Sequence, residues 1–123
     1  MMRGIRGAIC IDEDTHEQVL KAALDLFEKI LEQNQLIPEA VGAVFITVTP
    51  DIRSAFPAEG IRRQDDFRLV PTMCAQEIPV SGALEKCLRM LVLADQPGKG
   101  QDDVHHIYLG QALALRRDLE TMS

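Results

Sequence analysis

Apolar positions along the chain switch between two periods. Residues 2 to 11 alternate, with Ile5, Gly7, Ile9 and Ile11 on one side and Gly4, Arg6, Ala8 and Cys10 on the other. This is the two-residue repeat of a strand whose second face is small and pocket-like. From Thr15 the repeat lengthens: Val19, Leu20, Ala23, Leu26, Phe27, Ile30 and Leu31 form one helical stripe. Gln18 follows Thr15 at capping-box spacing, and Asn34 is placed to close the helix. Glu17 with Lys21 and Asp25 with Lys29 sit four apart on the solvated side.

The β-branched run from Ala43 to Thr49 is apolar on both faces and reads as a central strand stopped by Pro50. Residues 51 to 66, interrupted by Pro57 and Gly60, read as irregular chain with a short helical turn, the kind of segment that often binds. A strand is predicted from Phe67 to about Cys74, bent at Pro71. Ser81 can cap a second helix with Leu84, Cys87, Leu88 and Leu91 on its core side. Asp95 to Asp103 reads as a loop, Val104 to Leu109 alternates again, and the tail from Gly110 carries little structural signal. Four or five strands with two substantial helices make an α+β domain spanning residues 1–123, a small mixed sheet with both helices on one face. The other face keeps Phe45, Cys10 and Tyr108 and is left bare, which points to several copies packing together with pockets between them.

Composition narrows the function. Of 123 residues, 46% are hydrophobic and 26% charged, which is ordinary for a globular chain and excludes disordered, collagenous and disulfide-scaffold classes. No uncharged run reaches the ~20 residues of a membrane helix, and Arg3, Arg6 and Asp12 interrupt the apolar start, so a cytoplasmic protein is expected. A net charge of −6 with 4% aromatic residues argues against a nucleic-acid partner. Yet nine of the thirteen basic residues are Arg, the group suited to gripping carboxylates with two hydrogen bonds, so a small anionic ligand stays open. Cys10, Cys74 and Cys87 form no CxxC pair and no zinc pattern with the three histidines, and they read as reduced thiols.

Each candidate residue carries a plain structural reading beside the chemical one. Arg6, between Gly4 and Ala8, would project over a shallow floor, either toward a ligand or into an interchain ion pair. Arg89 follows Glu85 by four residues, and spacing alone favours a solvated helical pair. Glu77, in the apolar stretch Met73 to Val80, turns outward by default or serves a polar site. Tyr108 shares parity with Val104 and His106 and would ordinarily pack its ring. His105 and His106 point to opposite faces and cannot share a metal, and Cys74 has no adjacent base, so it reads as structural.

Five collinear segments go further: Arg3-Gly4-Ile5-Arg6-Gly7-Ala8; Thr49-Pro50-Asp51 followed by Phe56-Pro57-Ala58; Val70-Pro71 to Cys74-Ala75-Gln76-Glu77; Cys87-Leu88-Arg89; and His106-Ile107-Tyr108-Leu109. With the tail Leu115-Arg116-Arg117-Asp118-Leu119, their order and spacing over nearly the whole chain resemble the AroH-class chorismate mutases. The resemblance implies a homotrimeric pseudo-α/β-barrel with active sites at subunit interfaces. It also implies a Claisen rearrangement of chorismate to prephenate with no cofactor and no metal. Carried over residue by residue, it puts Arg6 and Tyr108 on substrate carboxylates and Arg89 on the ether oxygen of the breaking bond. Glu77 would accept from the ring hydroxyl beside the Cys74 thiol, with Met73 lining the same wall. Phe56, Ala58 and Arg62 would come from the irregular loop, and Leu115 and Arg116 from the tail. Glu59 stands where some relatives have Lys, and Arg117 where Pro is common, departures that bear on the rim and the tail. Two other classes stay in view: a trimeric enamine/imine deaminase, which would release ammonia, and a non-catalytic carboxylate-binding trimer, which would bind without turnover.

Overall fold

The computed structural model describes residues 1–112; Leu115 and Arg116, with Arg117 and the rest of 113–123, lie outside the described residues. Five strands form one mixed sheet: β1 (Met2–Cys10), β2 (Val41–Val48), β3 (Thr72–Gln76), β4 (Cys87–Asp95) and β5 (Ile107–Leu109), in spatial order β3-β2-β4-β1-β5. β4 is antiparallel to both β1 and β2, whereas β1 with β5 and β2 with β3 run parallel. Two helices, α1 (His16–Gln33) and α2 (Ala58–Arg62), pack against each other on one side of this sheet. The expected α+β architecture is therefore present, with α2 as the short turn read in residues 51 to 66.

α1 forms where the apolar stripe demands it. Thr15 is extended and its hydroxyl accepts from the Gln18 N–H at 3.2 Å, while Gln18 Oε1 accepts from the Glu13 N–H at 3.1 Å, two residues upstream of a reciprocal capping box. Within the buried stripe, Ala23, Leu26, Phe27, Ile30 and Leu31 join Ile5, Val44, Ile46, Leu88, Met90 and Val92 of the sheet in one core, and Val19 and Ala22 are buried as well. Phe27 meets Phe67 edge to face at 4.9 Å between ring centres, an arrangement worth about 1 kcal/mol beyond burial. Asn34 closes the helix and does more. Its buried amide donates to Ile30 O and His105 O, both at 2.9 Å, and its Oδ1 accepts from the His105 N–H at 2.8 Å. The end of α1 is thereby joined to the segment that leads into β5.

Two expectations are corrected. The helix predicted from Ser81 through Leu91 is absent: Cys87–Asp95 is a nine-residue interior strand in which Leu88, Met90, Val92 and Ala94 are buried and Arg89 and Leu91 face the other way. Leu and Met are good helix formers, but intrinsic propensity is worth less than about 1 kcal/mol per residue, and hydrogen-bonded neighbours on both sides override it. Arg89 is accordingly borne by a strand and does not pair with Glu85. The reading of all three cysteines as reduced thiols also fails. Cys10 and Cys87 are opposed partners of β1 and β4, 4.0 Å apart at Cα, and are joined by a disulfide, leaving Cys74 free. That pairing is invisible while Cys87 is read as helical. Elsewhere the boundaries shift: Asp65–Phe67 is a 3₁₀ turn, β3 starts after Pro71 at Thr72, and the strand expected from Val104 begins at Ile107.

Candidate active site

Register builds the site on the uncovered face. Across the sheet Ala75 opposes Thr47, Thr47 opposes Arg89, Arg89 opposes Ala8 and Ala8 opposes Tyr108. One step along, Met73, Phe45, Leu91 and Arg6 form the next row. Alternation places all of these side chains opposite the helices. Ala8 is the small floor, and Arg89 and Tyr108 stand on either side of it. The Glu77 N–H donates to Val48 O at 2.8 Å, extending the β2–β3 ladder by one residue and placing Glu77 beside the row of Ala75, Thr47 and Arg89.

Two polar contacts shape this platform. Glu77 Oε1 lies 3.3 Å from Arg89 Nε, and Glu77 Oε2 accepts from the Thr47 hydroxyl. The Arg89 side chain is 50% exposed, so the ion pair contributes no more than about 1 kcal/mol to stability, and its consequence is orientation. Burial pushes the Tyr108 hydroxyl above its ordinary pKa, opposed in part by the charges of Arg6 and Arg89, so Tyr108 remains a hydrogen-bond donor at neutral pH. A cleft of about 630 Å³ opens beside Arg89 and Glu77, walled by Thr49, Cys87 and the loop from Ile78 to Glu85.

The start of β4 is held by a latch. The Asp51 carboxylate accepts from the Lys86 N–H at 2.9 and 3.1 Å and from the Thr49 hydroxyl, and that hydroxyl accepts from the Cys87 N–H at 3.0 Å. Lys86 sits at φ +50°, a left-handed conformation unfavourable for a side-chain-bearing residue, and the two bonds from Asp51 hold it there. The latch sets where β4 starts and hence which face Arg89 takes.

The opposite edge of the sheet is fastened through His106. The Arg6 N–H donates to His106 Nδ1 at 2.9 Å, and burial followed by the nearby Arg6 charge lowers the ring's pKa below its ordinary 6.5. The unfolded chain therefore binds this proton more tightly than the folded one. The stabilisation is complete above about pH 6.5 and is lost as pH falls from there toward the lowered folded value. Replacing His106 with Asn retains an acceptor without a titration. The difference in melting temperature between the two proteins is expected to be flat above pH 7 and to move against the wild type below pH 6.5. A difference that stayed constant through pH 5 would show that the ring does not titrate in this way.

The candidate residues are divided between two places. Arg6, Met73, Glu77, Arg89 and Tyr108 share the open face. Cys74 has the opposite parity, packs toward the core and lines a second cleft of about 520 Å³ with Phe56, Ser54 and His16. Ala58 is buried in the first turn of α2, and Arg62 is exposed in its last turn. Glu59, beside that cleft, is 2.6 Å from Arg63 and 3.4 Å from His16. Thr47 and Asp51 were not singled out for chemistry; strand parity with Phe45 was the available signal for Thr47. Among the described residues no group of three or more His, Cys, Asp or Glu could hold a metal, and no helix is long and apolar enough to cross a membrane.

Comparison with known proteins gives concordant matches. The family described as chorismate mutase type I matches residues 2–119. The chain is 42% identical over 121 residues to chorismate mutase AroH of Bacillus subtilis (strain 168), covering 97% of this chain and 93% of that protein. It is 47% identical over 124 residues to chorismate mutase AroH of Thermus thermophilus, covering 98% of each. Among solved structures, a chorismate mutase from Clostridium thermocellum superposes with a TM-score of 0.85 at 32% identity, covering 90% of this chain and 97% of that one.

Proposed function

The chain belongs to the chorismate mutase type I family and rearranges chorismate to prephenate in phenylalanine and tyrosine biosynthesis, and we propose that it does so on the uncovered face of its sheet, around Arg89. The observation that carries this placement is the row Thr47, Arg89, Ala8 and Tyr108 with Arg6 one step away: two guanidinium groups and a phenol over a small floor. Chorismate is a flexible dianion whose two reacting ends must be brought together, and Arg6 and Tyr108 supply the grip on its carboxylates. As the C–O bond lengthens ahead of C–C bond formation, negative charge grows on the ether oxygen. Arg89, fixed at its Nε by Glu77, presents its terminal nitrogens to that atom and binds the transition state more tightly than the ground state. Glu77 accepts from the ring hydroxyl. The pericyclic step moves no proton to or from the protein, so no nucleophile or general base is called for, and residues 1–123 act as one domain.

The second half of the site comes from a neighbouring copy. Phe45, Leu91 and Met73 are exposed in the isolated chain, and covering them with another copy encloses the platform. In a homotrimeric pseudo-α/β-barrel, Phe56, Cys74 and Arg62 of one copy face Arg89 of the next, with Ala58 supporting them from the core. We propose the cytoplasm as the compartment of the enzyme.

Incubation of the purified protein with chorismate is expected to remove the enol-ether absorbance and yield prephenate, with a solution mass three times the 13.7 kDa of one chain. An equal mixture of Arg89→Ala subunits with subunits bearing Phe56→Asp and Arg62→Ala, refolded together, is expected to recover about a quarter of the wild-type activity, because a quarter of neighbouring pairs combine two intact halves. Unconsumed chorismate would overturn the reaction, and a mixture no more active than its parts would overturn the shared site.

A further inference from the structure

We infer that Thr47 is a positioning residue that holds Glu77 in one rotamer and thereby keeps the outer nitrogens of Arg89 available to substrate. The inference rests on the placement of the active site around Arg89. Thr47 sits on β2 directly opposite Arg89, and its hydroxyl donates to Glu77 Oε2 while Oε1 meets Arg89 Nε. Glu77 is thus tethered at both oxygens, one to each of two adjacent strands, although its own backbone lies just beyond the end of β3. That position gives the side chain little restraint of its own.

The tether matters because of what a free carboxylate would do. A guanidinium and a carboxylate pair best through two parallel bonds, and a mobile Glu77 can turn to take the terminal nitrogens of Arg89 in that way. Those are the donors that a developing negative charge on the ether oxygen requires. Because the Thr47 hydroxyl occupies Oε2, Glu77 stays at Nε and is confined to the edge of the guanidinium. The arrangement also limits how far a negative side chain can drift toward a dianionic ligand. Thr47 does not itself touch the reacting atoms.

Thr47→Val removes the hydroxyl at almost constant volume, and Thr47→Ser retains it. A hydrogen bond to a charged group is worth enough to change a rate by about ten- to a hundredfold. Thr47→Val is therefore expected to lower kcat/KM by about tenfold or more, with a fall in kcat as well as a rise in KM, while Thr47→Ser stays within about threefold of wild type. Both should melt with the wild type. The decisive comparison is made in the Glu77→Ala background, where Thr47→Val should cost nothing further. An equal loss in both backgrounds, or a Thr47→Ser variant as impaired as Thr47→Val, overturns the inference. Should Arg89→Ala and Glu77→Ala both retain full activity, the placement of the active site falls first and the role of Thr47 with it.

Discussion

Replacing Arg89 with alanine is expected to lower kcat by at least about 10²–10³-fold while leaving the melting temperature nearly unchanged. The stability half of this expectation follows from exposure. The side chain is 50% exposed and its ion pair with Glu77 is screened by water, so the fold loses little with it. β4 is meanwhile fixed by backbone partners on both sides and by the Asp51 latch. The catalytic half follows from position: Arg89 lies between Thr47 and Ala8 in the middle of the row, where a bound dianion would place its breaking bond. Arg89→Lys is expected to fall close to the alanine variant, because one ammonium cannot both meet Glu77 and reach the ether oxygen as Nε and the terminal nitrogens do together. Cys74→Ala should cost little, since the rearrangement calls on no nucleophile and a thiol reaching the site from a neighbouring copy adds only a neutral contact. Steady-state rates from the loss of chorismate absorbance decide the matter, and an Arg89→Ala enzyme within tenfold of wild type would sink the electrostatic assignment.

Even the low end of enzymatic acceleration, about 10⁶-fold, asks for ~8 kcal/mol, and one preorganised donor supplies ~3–4. The difference has to come from holding the reacting ends together, which assigns a comparable share to Arg6, Tyr108 and the walls around the substrate. Burial raises the Tyr108 pKa above its ordinary value and keeps its hydroxyl protonated near neutrality, and the pericyclic step itself moves no proton. A broad pH profile of turnover accompanies this division of labour, in contrast to the acid-limited stability traced to His106.

The parts of the fold that could be read from the chain are those whose pattern is local. α1 shows a long apolar stripe with Thr15 and Asn34 at its ends, and β1 and β2 show a two-residue repeat or a bounded β-branched run. β4 escaped because Cys-Leu-Arg-Met-Leu-Val-Leu-Ala alternates only in its burial, with Leu on both faces, and a sequence of that kind satisfies a helix equally well. The consequence spread beyond one element. With β4 read as a helix, Cys87 could not be placed opposite Cys10, Arg89 was given Glu85 as a partner, and Thr47 had no reason to stand out. Arg6 on its shallow floor was legible, because Gly4, Arg6 and Ala8 declare that floor themselves. The roles proposed for Arg89, Glu77 and Tyr108 are implied by family resemblance alone, since the strand pairings that bring these residues to one face join segments far apart in sequence. Splitting the candidates between two clefts lies beyond one-dimensional pattern altogether: adjacent residues Met73 and Cys74 take opposite faces only once β3 is paired to β2.

The largest stability effect is expected at Gly60, where alanine should destabilise the protein by about 3 kcal/mol or more. α2 approaches α1 so closely here that a Cβ on Gly60 would lie 2.2 Å from Leu20 O and 2.9 Å from Leu20 C. Both atoms belong to the backbone of α1, which cannot rotate out of the way as a side chain would. α2 must then lift, and with it Ala58 and Ile61, which are 4% and 0% exposed and seal one end of the core. Gly42 provides the contrast, because a Cβ there meets Leu93 O at 3.6 Å, an ordinary contact, and Gly42→Ala should be close to neutral. Thermal melts are expected to separate the two variants by roughly ten degrees for a chain of this size. Activity should fall alongside, since α2 carries Arg62 and follows directly on Phe56, the residues assigned to a neighbouring copy's substrate. A Gly60→Ala protein that melts with Gly42→Ala would mean that α2 is not seated on α1 in solution. The second half of the site would then lack the support that positions it.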